Sequence, residues 1–318
     1  MTAVVEQSAG VGEQPANMVD QSADVAKRRT LPPVPHRRIR LPGALSIVIP
    51  LAMLGLLFAY PLATTVQQSF QDRLGRPAGT IAWHQVFGSA AFRTGLLDTI
   101  EIAIGATAGC VVLGTFIAIV LAFVPFPGSA VVARMTTVIL AFPSFFIALS
   151  FAVLYGRVGV LSAVIEAVTG QQEVLGTFIY SRWAVLLAEI TFYTPFVVRP
   201  VLAACQRMPV EQLQVAASLG SRPWRVVRAV LLPELLPSIA AGASLCLLLT
   251  LNEFGIVLFF GSRDVQTLPV QIYTQGIVQF HYPQAAVMSC VQVALSLLLY
   301  GAGRLVAARI GGRRAGSD

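Results

Sequence analysis

The stretch Ile102-Ala-Ile-Gly-Ala-Thr-Ala-Gly-Cys-Val-Val-Leu-Gly-Thr-Phe-Ile-Ala-Ile-Val-Leu-Ala-Phe123 runs for 22 residues without a charged side chain. As an α-helix it is about 33 Å long, enough to cross the roughly 30 Å of hydrocarbon in a bilayer. Lipid offers no partner for backbone N–H and C=O groups, so a spanning segment of this kind must be helical. Working outward, the chain holds six such apolar runs, near 44–66, 97–124, 135–156, 183–205, 235–260 and 285–308. Pro143, Pro195 and Pro200 fall inside the third and fourth runs, where kinked membrane helices tolerate them.

Composition agrees with the runs. Of 318 residues, 56% are hydrophobic and 12% charged. A soluble domain carries about 25% charged residues, and half of that cannot cover a water-facing surface. The expected fold is therefore an all-α membrane protein with six transmembrane helices over 43–310. A basic, proline-rich cytoplasmic tail at 1–42, expected to be disordered, precedes it, and a short cytoplasmic tail at 311–318 follows. The net charge of +7 arises on this apolar background, so the partner it implies is anionic lipid and not nucleic acid. The four cysteines, Cys110, Cys205, Cys246 and Cys290, sit in apolar runs without metal-type spacing and read as packing residues. The first 24 residues are polar, and no cleavable signal peptide is expected.

Arg and Lys counts set the orientation. With the N-terminus inside, inner segments hold 15 basic residues and outer segments six. This predicts both ends in the cytoplasm of a multi-pass inner-membrane protein. In the outer segment 157–182, Val160, Leu161, Val164, Ile165 and Val168 have helical spacing closed by Gly170, which predicts a short helix at the outer surface.

The inner segment between the fourth and fifth runs is richer than a connection needs. It reads Glu211-Gln-Leu-Gln-Val-Ala-Ala-Ser-Leu-Gly220-Ser-Arg-Pro-Trp-Arg-Val-Val-Arg-Ala-Val-Leu-Leu-Pro233. Residues 211–219 favour helix, Gly220 suits a left-handed helix end, and Pro223 suits a first turn. A helix-turn-helix is predicted, with Trp224, Val227 and Leu231 on one face and Arg222, Arg225 and Arg228 on another. Pro233 is expected to end the second helix before the fifth span. Such an element suits a groove on a soluble partner.

This segment resembles the EAA loop of binding-protein-dependent transport permeases, the inner-membrane components of ABC transporters. Ala216 stands for the second alanine of that pattern, Gly220 for its glycine, and Val230-Leu231-Leu232-Pro233 for its tail. Gln214 replaces the usual Glu and Val215 the first Ala. The resemblance implies a coupling loop over 207–234 that docks on an ATP-binding cassette subunit, carried by Glu211, Gln214, Ala216, Ala217, Gly220, Pro223, Arg225 and Pro233. Glu211, one turn before Gln214, is the candidate for the ion pair that Gln214 cannot make. The resemblance also implies a second permease subunit, identical or related, and an extracytoplasmic solute-binding protein.

Charged and polar groups within spans are costly and mark either the solute path or contacts between helices. Glu101, Glu189, Tyr193, Arg199, Asn252 and Glu253 stand in this class. Glu189 and Arg199 lie ten residues apart, about 15 Å along one helix, and cannot pair within it. Asn252–Gly261, Thr267–Tyr273, Thr191–Pro200 and Leu295–Tyr300 are similar to a subgroup of permeases for ferric iron, thiamine, polyamines and 2-aminoethylphosphonate, the last the most similar in wording. The solute this implies is 2-aminoethylphosphonate, with ferric iron, thiamine or a polyamine as the alternative within the same family.

Catalytic motifs are missing from the sequence. A phosphate-binding Gly-Lys-Ser/Thr loop is impossible, because Lys27 is the one lysine and Arg28 follows it. His36, His84 and His281 are far apart and outside metal-binding motifs, so neither metal nor cofactor is expected. A secondary transporter is the alternative of another class, but the inverted repeats it calls for are not evident.

Overall fold

The computed structural model describes residues 43–157, 159–170, 178–209, 211, 214, 218, 221–261 and 265–312. It divides into two compact units, Met1–Phe58 and Ala59–Asp318. In the first, α1 (Gly43–Leu54) carries Pro50 and runs into a π-helical turn, Gly55–Ala59. The second unit is mostly helical, with a turn at 69–80 that holds an isolated bridge between Gln71 and Pro77. Its first helices are α2 (Tyr60–Gln68), α3 (Ile81–Gly88), α4 (Ala90–Phe123), α5 (Ser129–Val138), α6 (Ser144–Tyr155), α7 (Val160–Thr169) and α8 (Arg182–Arg207). After the inner loop come α9 (Pro223–Val226), α10 (Leu232–Leu251), α11 (Gly255–Phe260), α12 (Leu268–Tyr273) and α13 (Tyr282–Gly312). Among the described residues, six segments are long and apolar enough to span: Ile47–Gln68, Ala90–Phe123, Ser144–Thr169, Arg182–Arg207, Pro223–Leu251 and Tyr282–Leu305.

The core is the packing of α4 along α8, with α10 laid against both. Their contact faces are built from small residues. Ala103, Ala106, Cys110, Gly114 and Ala118 form a buried stripe on α4, while Val112 and Phe116 of the same helix are exposed. Between membrane helices the hydrophobic effect gives no drive, so close backbone approach and dispersion must supply the attraction. Two glycines show how close the approach is. A Cβ on Gly114 would sit 2.8 Å from Val197 Cβ, and one on Gly242 would sit 3.1 Å from Val197 Cα. Val197 of α8 is thus gripped from both sides by side-chain-free positions.

Three local expectations are corrected. The second span begins at Ala90, seven residues before the apolar run, because helix geometry tolerates Arg93 and Thr94 on an exposed turn. The third run is not one kinked helix: α5 tightens through Ile139–Ala141, Phe142 turns extended (φ −93°, ψ 143°), and α6 restarts after Pro143. Proline pushes the residue before it out of the helical region, and here the chain breaks outright. Pro233 does not end a helix. Residues 223–251 are continuous through a π turn at Val227–Leu231, in which Leu232 N–H reaches Val227 O. The wider turn moves aside the carbonyl that the Pro233 ring would otherwise strike.

The fifth run also contains a break. Helix α10 stops at Leu251, Asn252–Phe254 leave helical geometry, and α11 then runs to Gly261, whose φ of 55° closes it. Helix α7 ends at Gly170 with φ 69°, matching the helix expected in that segment.

Candidate functional site

A break in a membrane helix frees carbonyls and N–H groups that lipid cannot satisfy. Around Asn252–Phe254 side chains satisfy them. Glu253 is buried, and its Oε1 accepts from Ile256 N–H at 2.8 Å and from Ser144 Oγ at 3.0 Å. Its Oε2 accepts from the Tyr193 hydroxyl. Gln292 Nε2 of α13 donates to Leu251 O at 2.7 Å, and Asn252 Nδ2 donates to Leu248 O at 2.8 Å. Four elements therefore converge on the break: the start of α6, the middle of α8, the start of α11, and α13.

Glu189 lies one turn before Tyr193 on α8 and is 1% exposed. Neither carboxylate oxygen has a hydrogen-bond partner among the described residues. Arg199, two turns beyond Tyr193 on the same helix, is exposed. It lines a cavity of about 280 Å³ between α8 and α10, with Phe196, Pro200, Ala241, Gly242 and Leu245. An unpaired arginine within the apolar part of a membrane helix is costly and marks a wet path or a partner. The five candidates other than Glu101 thus separate. Glu253, Tyr193 and Asn252 share one network, Glu189 is sealed beside it, and Arg199 stands apart on an open face.

At the Arg182 end of the bundle a second network ties α4 to the segment after α11. Arg182 Nη1 bonds Glu101 Oε1 at 2.6 Å, and its Nη2 lies 3.5 Å from Asp98 Oδ1. Asp98 Oδ2 accepts from Gln266 N–H at 3.0 Å, Thr99 Oγ1 from Leu268 N–H at 2.8 Å, and Gln271 Nε2 donates to Ala91 O at 2.7 Å. The sequence reading singled out Glu101 but missed Asp98, Thr99 and Gln271. The spacing of Asp98 and Glu101, three apart and so on one helix face, was the available signal.

In the inner loop, Glu211 and Gln214 are helical and exposed. Ala216, Ala217 and Gly220 lie outside the described residues. Pro223 occupies the first turn of α9, as its rigid φ favours. Arg222, Arg225 and Arg228 are exposed, Leu231 is buried, and Pro233 is half-buried. Trp224 is 69% exposed, although Val227 and Leu231 on its face pack inward.

A family model described as the inner membrane component of binding-protein-dependent transport systems matches residues 111–312. The chain belongs to this family. The permease is 40% identical over 281 residues to a Salmonella typhimurium protein named "Putative 2-aminoethylphosphonate transport system permease protein PhnU", covering 88% of this chain and 98% of the relative. It is 34% identical over 227 residues to the "Molybdenum transport system permease protein ModB" of Mycobacterium tuberculosis, covering 70% of this chain and 79% of the relative. Its fold is that of a chain in a bacterial alginate ABC transporter solved with an alginate pentasaccharide-bound periplasmic protein. The TM-score is 0.71 at 16% identity, over 84% of this chain and 94% of that one. The permease is thus a multi-pass membrane component of an ABC importer and not an enzyme.

Proposed function

We propose that the permease imports 2-aminoethylphosphonate, delivered by an extracytoplasmic binding protein and driven by ATP hydrolysis on partner ATPase subunits. The supporting observation is the 40% identity to PhnU across almost the whole length of both chains. Both termini are proposed to be cytoplasmic, on the 15-to-six imbalance of basic residues across the two faces. The loop 207–234, with its exposed Trp224 and arginines, then faces the ATPase. Within it we assign docking to Glu211, Gln214, Ala216, Ala217, Gly220, Pro223 and Arg225, with Pro233 at its end.

Six spans provide one half of a path, and a second permease subunit supplies the other. Loaded binding protein docks on the outer face, closure of the ATPases is passed through the loop, and the helices rock to open inward. Of the path candidates, Arg199 and Asn252 are exposed and line the path in this reading. Tyr193 and Glu253 act behind it, where they hold the α10–α11 break, and Glu189 is buried beside them. Uptake of labelled 2-aminoethylphosphonate by cells expressing the permease with its ATPase and binding protein tests the assignment. ATP-dependent uptake of iron, thiamine or polyamine in place of the phosphonate sinks the substrate and keeps the importer. Uptake that persists without any ATPase sinks both.

A further inference from the structure

We propose that Arg199 and the cavity beside it bind the oxyanion end of the transported solute, a phosphonate or phosphate-like dianion. The proposal deepens the reading of the permease as a phosphonate importer and rests on it for the solute class. Its first ground is a charge without a counter-charge. Arg199 has no ion pair or hydrogen bond among the described residues, whereas Arg182 of the same helix has both. Its second ground is depth. Arg199 stands eight residues before the Arg207 end of α8 and 17 after its Arg182 end, about 12 Å and about 26 Å along the axis, within the apolar span. At that depth an arginine is retained where an anion or a wet path meets it.

The third ground is the shape of the surroundings. The cavity of about 280 Å³ is bounded on α8 by Phe196, Arg199 and Pro200, and on α10 by Ala241, Gly242 and Leu245. Arg199 is the single charged lining group among the described residues. A Cβ on Gly242 would meet Pro200 Cγ at 3.3 Å, so the missing side chain lets α8 and α10 close at the cavity floor. The planar guanidinium presents paired N–H donors that match two oxygens of a phosphonate, and a short alkyl tail lies against the apolar wall. Glu189 is about 15 Å away along α8 and does not compete for the cation. A lipid phosphate has the same chemistry, and the test separates the two.

The assembled transporter is placed in nanodiscs of phosphate-free galactolipid, and methylphosphonate binding is titrated by phosphorus NMR. Saturable binding to the unaltered protein is expected, weakened at least tenfold by Arg199→Gln and less by Arg199→Lys. Leu245→Glu keeps Arg199 but sets a carboxylate across the cavity, and is expected to abolish binding. Equal affinity in Arg199→Gln and the unaltered protein overturns the proposal. So does an absence of methylphosphonate binding, including the case in which Arg199 instead governs retention of added phosphatidylglycerol, a lipid site. If the transporter takes up another solute while Arg199→Gln still loses methylphosphonate, the oxyanion site stands and the substrate assignment falls.

Discussion

The Tyr193 hydroxyl donates to the Glu253 carboxylate, joining the middle of α8 to the non-helical residues that follow α10. The bond spans 60 residues of sequence and sits in the buried core. Tyr193→Phe removes the donor and leaves a buried carboxylate oxygen unsatisfied. The expected cost is about 1–3 kcal/mol, read as a lower thermal midpoint in detergent. In a double-mutant cycle with Glu253→Gln the two losses are expected to be non-additive, because both act on one network. Additive losses in that cycle count against a shared network.

The two anionic partners of Arg182 are not equivalent. Glu101 is 59% exposed and Asp98 8% exposed. Glu101→Gln is expected to cost less than about 1 kcal/mol, as screened surface pairs do. Asp98→Ala leaves Gln266 N–H and part of Arg182 without an acceptor and is expected to cost about 1–3 kcal/mol. Hydrogen exchange should show the local effect, with faster exchange at 265–278 in Asp98→Ala alone.

Gly242 faces backbone, which cannot step aside as a side-chain tip can. Gly242→Leu is expected to force α8 and α10 apart at a cost of about 1–3 kcal/mol or more. Membrane insertion should persist, since span length and apolarity are unchanged, while resistance to protease in detergent falls. Protease resistance equal to that of the unaltered chain would falsify the close packing described for Val197.

Trp224 contributes nothing to the core, being 69% exposed, yet an exposed tryptophan beside arginines is typical of an interface anchor. Trp224→Ala is expected to leave the thermal midpoint of the isolated permease unchanged and to weaken binding of the ATPase subunit at least tenfold. Arg225→Glu should do the same and add a salt dependence of opposite sign. Unchanged ATPase affinity in both variants removes the coupling role from this face.

The six spans were legible because length and apolarity decide crossing, and these are properties of a segment alone. The helix of 160–169 was legible for a similar reason, since its apolar spacing and Gly170 are local. What escaped the sequence depends on other parts of the chain. Asn252, Glu253 and Gly255 interrupt the apolar run, but polar residues and glycine also occur within continued membrane helices, so they do not by themselves mark a break. The residues that sustain it, Ser144, Tyr193 and Gln292, come from three other helices. Pro233 looked like a stop because proline interrupts an α-helix, and the π turn upstream removes that conflict. Glu189 and Arg199 carry equal weight as charges in one run, and only packing separates a sealed side chain from an open one.

The unbroken helix from Pro223 to Leu251 has a mechanical meaning. Its 29 residues make a strut about 44 Å long, with Trp224 near one tip and the Glu253 network just past the other. The carboxylate past the far tip fastens α6, α8 and α11. The π turn at Val227–Leu231 lies close to the tryptophan tip and Pro237 shortly beyond it, so the departures from regular α-helical bonding gather at that end and leave the stretch toward the Glu253 network uninterrupted.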